Sequence, residues 1–259
     1  MKNGKWFGWG GWMFGGLLMT ALFFSAAGAQ EADSASSEAA PAVSASPAAD
    51  GDLYKEFQPK SRSRVREEIE WSIVYMFGTN DESKPRALLI GDSICNGYQS
   101  VVINRLKGKM NITYWASSKC ATDPAYFREL DLILSSNHYD AVSFNNGLHS
   151  MGSNRAEWED AYRSAVKFLR AKLPNAKILI VTNTPLENPD TTVKSKELSE
   201  FAQKIAAENG LPVIDLYSVT ETLGTKDLWR DGVHFSAPAV ELQGKTVADA
   251  LAAALGISP

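Results

Sequence analysis

Cysteine and histidine are scarce in this chain, and the scarcity excludes whole classes of function. Among 259 residues there are two cysteines and three histidines. The histidines at 138, 149 and 234 share no short spacing, and no Cys pair stands at ligand spacing, so a structural or catalytic zinc has no ligand set. Gly-x-x-x-x-Gly-Lys and Gly-x-Gly-x-x-Gly are both missing, which leaves a nucleotide cofactor without a phosphate cradle. No metal or organic cofactor is therefore expected. Gly-x-Ser-x-Gly, the nucleophile turn of lipase-type α/β-hydrolases, is missing as well. Lys and Arg form no long run, and they number 26 against 30 Asp and Glu, for a formal charge of −4. That balance argues against nucleic acid or an anionic membrane as the partner. Nothing in the sequence points to a protein partner.

The longest apolar stretch is at the start. Lys2 and Lys5 precede an apolar run from Trp12 to Phe24, and Ala27-Gly28-Ala29 supplies a small-x-small site. Residues 1–29 read as a secretory signal peptide cut before Gln30, which predicts a secreted or periplasmic protein. The run is shorter than the roughly 20 residues that span a bilayer, so the membrane enters only through this segment if it stays uncleaved. No cysteine near the cut offers a lipoprotein anchor. Residues 30–52 are Ala, Ser, Pro and Glu with almost nothing large to bury, the composition of a disordered linker.

Residues 53–85 are expected to be an N-terminal helical extension, because Val65, Ile69, Ile73 and Met76 recur at helical spacing between Arg64 and Phe77. From 86 to 259 short apolar runs alternate with longer amphipathic ones. The strands expected are Ala87–Ile90, Ile112–Trp115, Ala141–Phe144, Lys177–Val181 and Pro212–Asp215. Between and after them helices are expected at Ile94–Leu106, Pro124–Leu134, Arg155–Leu173, Val193–Asn209 and Ala237–Leu255. This is the pattern of βαβ units, a parallel sheet covered by helices on both faces, within one domain.

In such a sheet functional groups gather where strands end and helices begin. Ser93 follows Leu88-Leu89-Ile90-Gly91-Asp92 and opens a helix. Serine is a weak nucleophile unless a base lies within hydrogen-bond reach and donors await the oxyanion, and this position suits both. Helix capping by Asp92 or Ser93 is the ordinary alternative. Asp231-Gly232-Val233-His234 places a carboxylate three residues before an imidazole, close enough to fix its tautomer and stabilise the imidazolium.

In this order Ile90-Gly91-Asp92-Ser93-Ile94 and Asp231-Gly232-Val233-His234 resemble the first and last blocks of the SGNH (GDSL-like) hydrolase superfamily, over about 86–255. The resemblance implies a three-layer α/β/α sandwich with a mainly parallel, flavodoxin-like sheet of five strands. It also implies a serine esterase with Ser93 as nucleophile, His234 as base and Asp231 as its orienter. Its oxyanion hole would be formed by the backbone of Ser93 and Cys120 and the side chain of Asn146. Cys120 stands where the family has a glycine. The third block, Phe144 to His149 (FNNGLH), is similar to a variant in exported bacterial members; Asn145 is a one-residue slip from Asn146. His149, Trp229 and Arg230 would border the pocket, His149 either touching substrate or stabilising its loop. His138 reads as plain surface and Asp215 as a structural hydrogen-bonding carboxylate. On this alignment Cys95 and Cys120 meet, and a disulfide between them is expected in an oxidising compartment, with two buried thiols as the alternative. The substrate implied is a small-molecule or glycan ester, O-acetyl on a carbohydrate above all, since no long apolar lid is visible. An O-acyltransferase with the same triad and an inactive glycan-binding module are the alternatives.

Overall fold

Short runs without polar residues, such as Ala87-Leu88-Leu89-Ile90, become strands buried on both faces. The computed structural model describes residues 53–59 and 66–258; the expected signal segment and linker lie outside them. The strands are β1 (Ser72–Met76), β2 (Arg86–Gly91), β3 (Asn111–Ser117), β4 (Ala141–Phe144), β5 (Lys177–Val181) and β6 (Val213–Ile214). The helices are α1 (Leu53–Phe57), α2 (Ser93–Arg105), α3 (Pro124–Ser135), α4 (Arg155–Lys172), α5 (Pro189–Asn209), α6 (Leu216–Glu221) and α7 (Ala237–Ala254). A 3₁₀ turn at Leu148–Ser150 follows β4.

The sheet runs β1-β3-β2-β4-β5-β6, parallel except for β1. Alternation along β2 divides the core. Leu88 and Ile90 pack with residues of α3, α4 and α5, whereas Ala87 and Leu89 pack with α2 and α7. The expected three-layer arrangement is the one observed, with one strand more than expected. The order of connection reverses between β3 and β4, which lie on either side of β2. In open α/β sheets the crevice at that switch point, outside the carboxyl ends of the strands, takes the ligand.

The sixth strand corrects the sequence reading. Helical spacing over 64–77 predicted a helix, but Ser72–Met76 is an edge strand, paired antiparallel with β3 from Ser72↔Ser117 to Met76↔Thr113. Its sequence, SIVYM, is β-branched and aromatic, and β3 offers an open edge of unpaired backbone groups. Tertiary pairing outweighs local periodicity here. Helix α5 also begins four residues earlier than expected, because the Asn188 side chain accepts the Asp190 N–H at 2.9 Å and Pro189 follows at the first helical position.

Helix α2 lies against α7, and Gly244 marks the closest approach. A Cβ there would stand 2.5 Å from Val101 Cβ and 3.0 Å from the Tyr98 carbonyl oxygen. Gly244→Ala is expected to lower the unfolding free energy by about 1–3 kcal/mol, the cost of overpacking, as a fall in the urea midpoint at unchanged slope.

Candidate active site

Strand β2 delivers Ser93 to the switch point. Asp92 is extended (φ −122°, ψ −151°), and its side chain accepts the Ile94 N–H at 2.9 Å, so the aspartate caps α2. Ser93, half-buried, is then released from capping. Neither its hydroxyl nor its N–H has a hydrogen-bond partner among the described residues. Gly91 is required by close packing: a Cβ there would fall 2.6 Å from Cys95 Cβ, on the first turn of α2.

Asp231 and His234 sit at the tip of a small hairpin. An antiparallel bridge joins Trp229 to Phe235, Ser236 N–H donates to the Leu228 carbonyl at 2.9 Å, and Arg230 N–H donates to the His234 carbonyl at 2.7 Å. Leu228 and Phe235 are buried and anchor the base of the hairpin in the core. Gly232 turns the tip with φ 85°, a left-handed value that favours glycine. Asp231 Oδ1 accepts the N–H groups of His234 at 2.8 Å and Val233 at 3.2 Å, while Oδ2 lies 2.8 Å from His234 Nδ1. Burial acts to raise the Asp231 carboxyl, but these bonds from His234 and Val233 outweigh it and bring it down to about 2.

The two elements converge. Ser93, Ile94 and Gly97 of α2 line one small pocket with Arg230, His234 and Phe235 of the hairpin and with Val240 and Gln243 of α7. His234 Nδ1 is engaged by Asp231, and its Nε2 has no hydrogen-bond partner among the described residues. No hydrogen bond joins Ser93 to His234 in the free protein, a spacing that substrate binding commonly tightens. Arg230 is exposed at this pocket's rim. Trp229 is instead half-buried on Phe235, with centroids 6.2 Å apart, and donates its Nε1–H to the Pro185 carbonyl at 3.3 Å.

The neighbouring strands bring up Cys120 and the two asparagines. Asn146 Nδ2 donates to the Lys119 carbonyl at 2.9 Å, and its Oδ1 accepts the Ala121 N–H at 3.0 Å. Its carboxamide therefore brackets Cys120. The Lys119 carbonyl and the Cys120 N–H belong to one planar peptide, so fixing the first fixes the direction of the second. The Cys120 N–H has no partner among the described residues. Asn145 turns the other way and spends both Nδ2 hydrogens, on the Val181 carbonyl and on Asn183 Oδ1, each at 3.0 Å. Of the two asparagines, Asn146 is the one that engages the loop of Cys120.

His149 is not among the residues that line the pocket of Ser93 and His234. Its Nδ1 lies 2.5 Å from Glu67 Oε1, and Trp71 packs edge-on against its ring at 6.0 Å. Glu67 stands 82 residues earlier in the chain, and no local pattern announces such a pairing. Asp215 caps α6 by accepting the Ser218 N–H at 3.1 Å, a structural role.

The expected disulfide is not formed: Cys95 and Cys120 are both free and buried. They belong to different layers, Cys95 packing with α2 and α7 and Cys120 with α3 and α4 on the opposite side of the sheet. The sheet itself separates the two thiols. Burial pushes Cys95 up to about 12 and raises Cys120, so both stay protonated and unreactive.

A mostly parallel sheet between helix layers, with a serine at the switch point and a histidine–aspartate hairpin beside it, is the arrangement of a three-layer α/β/α hydrolase. The chain belongs to the GDSL-like lipase/acylhydrolase family, whose model matches residues 29–242. Membership places it in the SGNH superfamily that its blocks resemble and makes it a carboxylic-ester hydrolase. Solved structures agree in fold. An acetylxylan esterase from Geobacillus stearothermophilus is 18% identical with a TM-score of 0.55, covering 67% of this chain and 95% of its own. An aryl esterase from M. smegmatis is 18% identical with a TM-score of 0.54, covering 65% and 99%. A member of the lipolytic G-D-S-L family from Veillonella parvula is 15% identical with a TM-score of 0.53, covering 63% and 96%. No curated protein sequence matches.

Proposed function

We propose that this protein is an exported serine esterase that removes O-acetyl groups from a carbohydrate or cell-wall glycan, with Ser93, His234 and Asp231 as its triad. The observation that carries the reading is the shared pocket of Ser93 and His234, with Asp231 Oδ2 at 2.8 Å on the far side of the imidazole. Ser93 Oγ attacks the ester carbonyl while His234 Nε2 takes its proton. The Nδ1–H donated to Asp231 keeps Nε2 free to accept, and the ionised carboxylate stabilises the imidazolium. The unpartnered N–H groups of Ser93 and Cys120, with the carboxamide of Asn146, receive the oxyanion. The protonated His234 then donates to the ester oxygen of the sugar as its bond to the acetyl carbon breaks, releasing the sugar hydroxyl, and water activated by the same histidine frees acetate from Ser93.

The carbohydrate assignment draws on the fold shared with the acetylxylan esterase, and export draws on the leader read at 1–29. Fluorophosphonate labelling and acetate release from a panel of acetylated glycans test the reading together. Wild-type protein is expected to be labelled at Ser93 and to release acetate from at least one acetylated polysaccharide. Absence of labelling would overturn the triad. Labelling with hydrolysis of simple aryl acetates alone would overturn the glycan substrate.

A further inference from the structure

The segment 66–71, ahead of β1, lies across the loop that carries Cys120. At one end of that loop Trp71 N–H donates to Ser118 Oγ at 2.9 Å, the Ser118 N–H donates to the Trp71 carbonyl at 3.1 Å, and the Ser118 hydroxyl donates to Glu70 Oε2 at 2.8 Å. At the other end the Arg66 guanidinium holds the buried Asp123 carboxylate with Nε at 2.5 Å and Nη2 at 3.2 Å, and Asp123 in turn caps α3. Cys120 lies between these two anchors. Glu67, from the same segment, holds His149 on the following loop.

We propose that Arg66 and Glu70 are positioning residues of the active site, which fix the loop 117–123 so that the Cys120 N–H points at the developing oxyanion. The proposal rests on the esterase reading above. Asn146 grips the loop at Lys119 and Ala121, and the N-terminal segment grips it at Ser118 and Asp123. Between them they hold every side of the residue that replaces the family's glycine. A donor aimed at the oxyanion acts in the transition state and little in the ground state, so loosening it lowers kcat and leaves KM in place. A displacement of about 1 Å is enough to cost on the order of 10²-fold in rate.

The test compares wild type, Arg66→Ala/Glu70→Ala, Glu70→Ala and Glu70→Gln in the full chain, with p-nitrophenyl acetate as substrate and thermal unfolding as the check on folding. The double variant is expected to lose about ten- to hundredfold in kcat with KM within about twofold of wild type, and its fluorophosphonate labelling to slow in parallel. Glu70→Gln, which keeps an oxygen for the Ser118 hydroxyl, is expected to restore the kcat that Glu70→Ala loses. A folded double variant with kcat within about twofold of wild type, or with a change confined to KM, overturns the proposal while leaving the esterase reading intact. Wild type that neither labels nor turns over overturns both. If the double variant does not unfold cooperatively, Glu70→Ala alone decides by the same criteria, because it removes only the two hydrogen bonds that Glu70 accepts, from the Ser118 hydroxyl and from the exposed Glu67 N–H.

Discussion

Ser93→Ala is expected to abolish fluorophosphonate labelling and to lower kcat for acetyl-ester hydrolysis by on the order of 10⁴- to 10⁶-fold, with no measurable loss of stability. The pairing of those two results is what makes the experiment decisive. A serine following a strand and opening a helix is ordinarily a cap, and removing a cap costs about 1 kcal/mol. At this site Asp92 already accepts the Ile94 N–H at 2.9 Å, and the Ser93 hydroxyl bonds to nothing among the described residues. Truncating it leaves the cap in place and, on the proposed mechanism, removes the attacking atom. A structural serine would show the reverse, lower stability with activity retained. Catalysis retained within tenfold in Ser93→Ala would remove Ser93 as nucleophile. Asp92→Ala provides the contrast, since it should destabilise α2 by about 1 kcal/mol.

The sheet was legible because each buried strand is a short apolar run between helices of amphipathic spacing, and both signals reach no further than a few residues. The strand order, and with it the switch point, rests on which strands pair in the assembled sheet. What escaped was decided over longer range. Trp71-Ser72-Ile73-Val74-Tyr75-Met76 satisfies helical spacing and strand composition alike, and the open edge of β3, about 40 residues later, settles which prevails. Helix α6, six residues from Leu216 to Glu221, is too short to carry a period.

The site divides in the same way. Gly91-Asp92-Ser93 and Asp231-x-x-His234 are local, each built by one turn of chain, and could be read from sequence. Asn145 and Asn146 differ in what their carboxamides meet, Val181 and Asn183 for the first and Lys119 and Ala121 for the second, and only the assembled loops show that. The disulfide failed for a comparable reason. Cys95 lies on the first turn of α2 and Cys120 on the loop after β3, and the two thiols pack on opposite sides of the sheet. The partners of His149 and Asp123, Glu67 and Arg66, lie in the N-terminal segment, which carried no chemical motif of its own.

Asp231→Asn is expected to lower kcat by about 10⁴-fold while leaving the hairpin and KM nearly unchanged. The two carboxylate oxygens have separate tasks. Oδ1 holds the turn through the Val233 and His234 N–H groups, whereas Oδ2 faces His234 Nδ1 at 2.8 Å. Asparagine keeps the first oxygen and puts an NH₂ in place of the second. The imidazole must then accept at Nδ1 and carry its hydrogen on Nε2, the nitrogen that should receive the proton of Ser93. Fold and binding survive, but the base is in the wrong tautomer. The depressed carboxyl of Asp231, about 2 against an ordinary 3.8, adds a statement about pH. A carboxyl held low in the folded state contributes stability that is complete above its unfolded value and is lost as pH falls through the folded one. The hairpin should therefore weaken only between about pH 4 and pH 2. Above that window Asp231 stays charged, and any acid limb in the rate profile belongs to another group. Measuring kcat for wild type and Asp231→Asn from pH 5 to 9 separates the outcomes. A deficit that persists across the range supports the tautomer argument, and a variant within tenfold of wild type at its optimum would sink it.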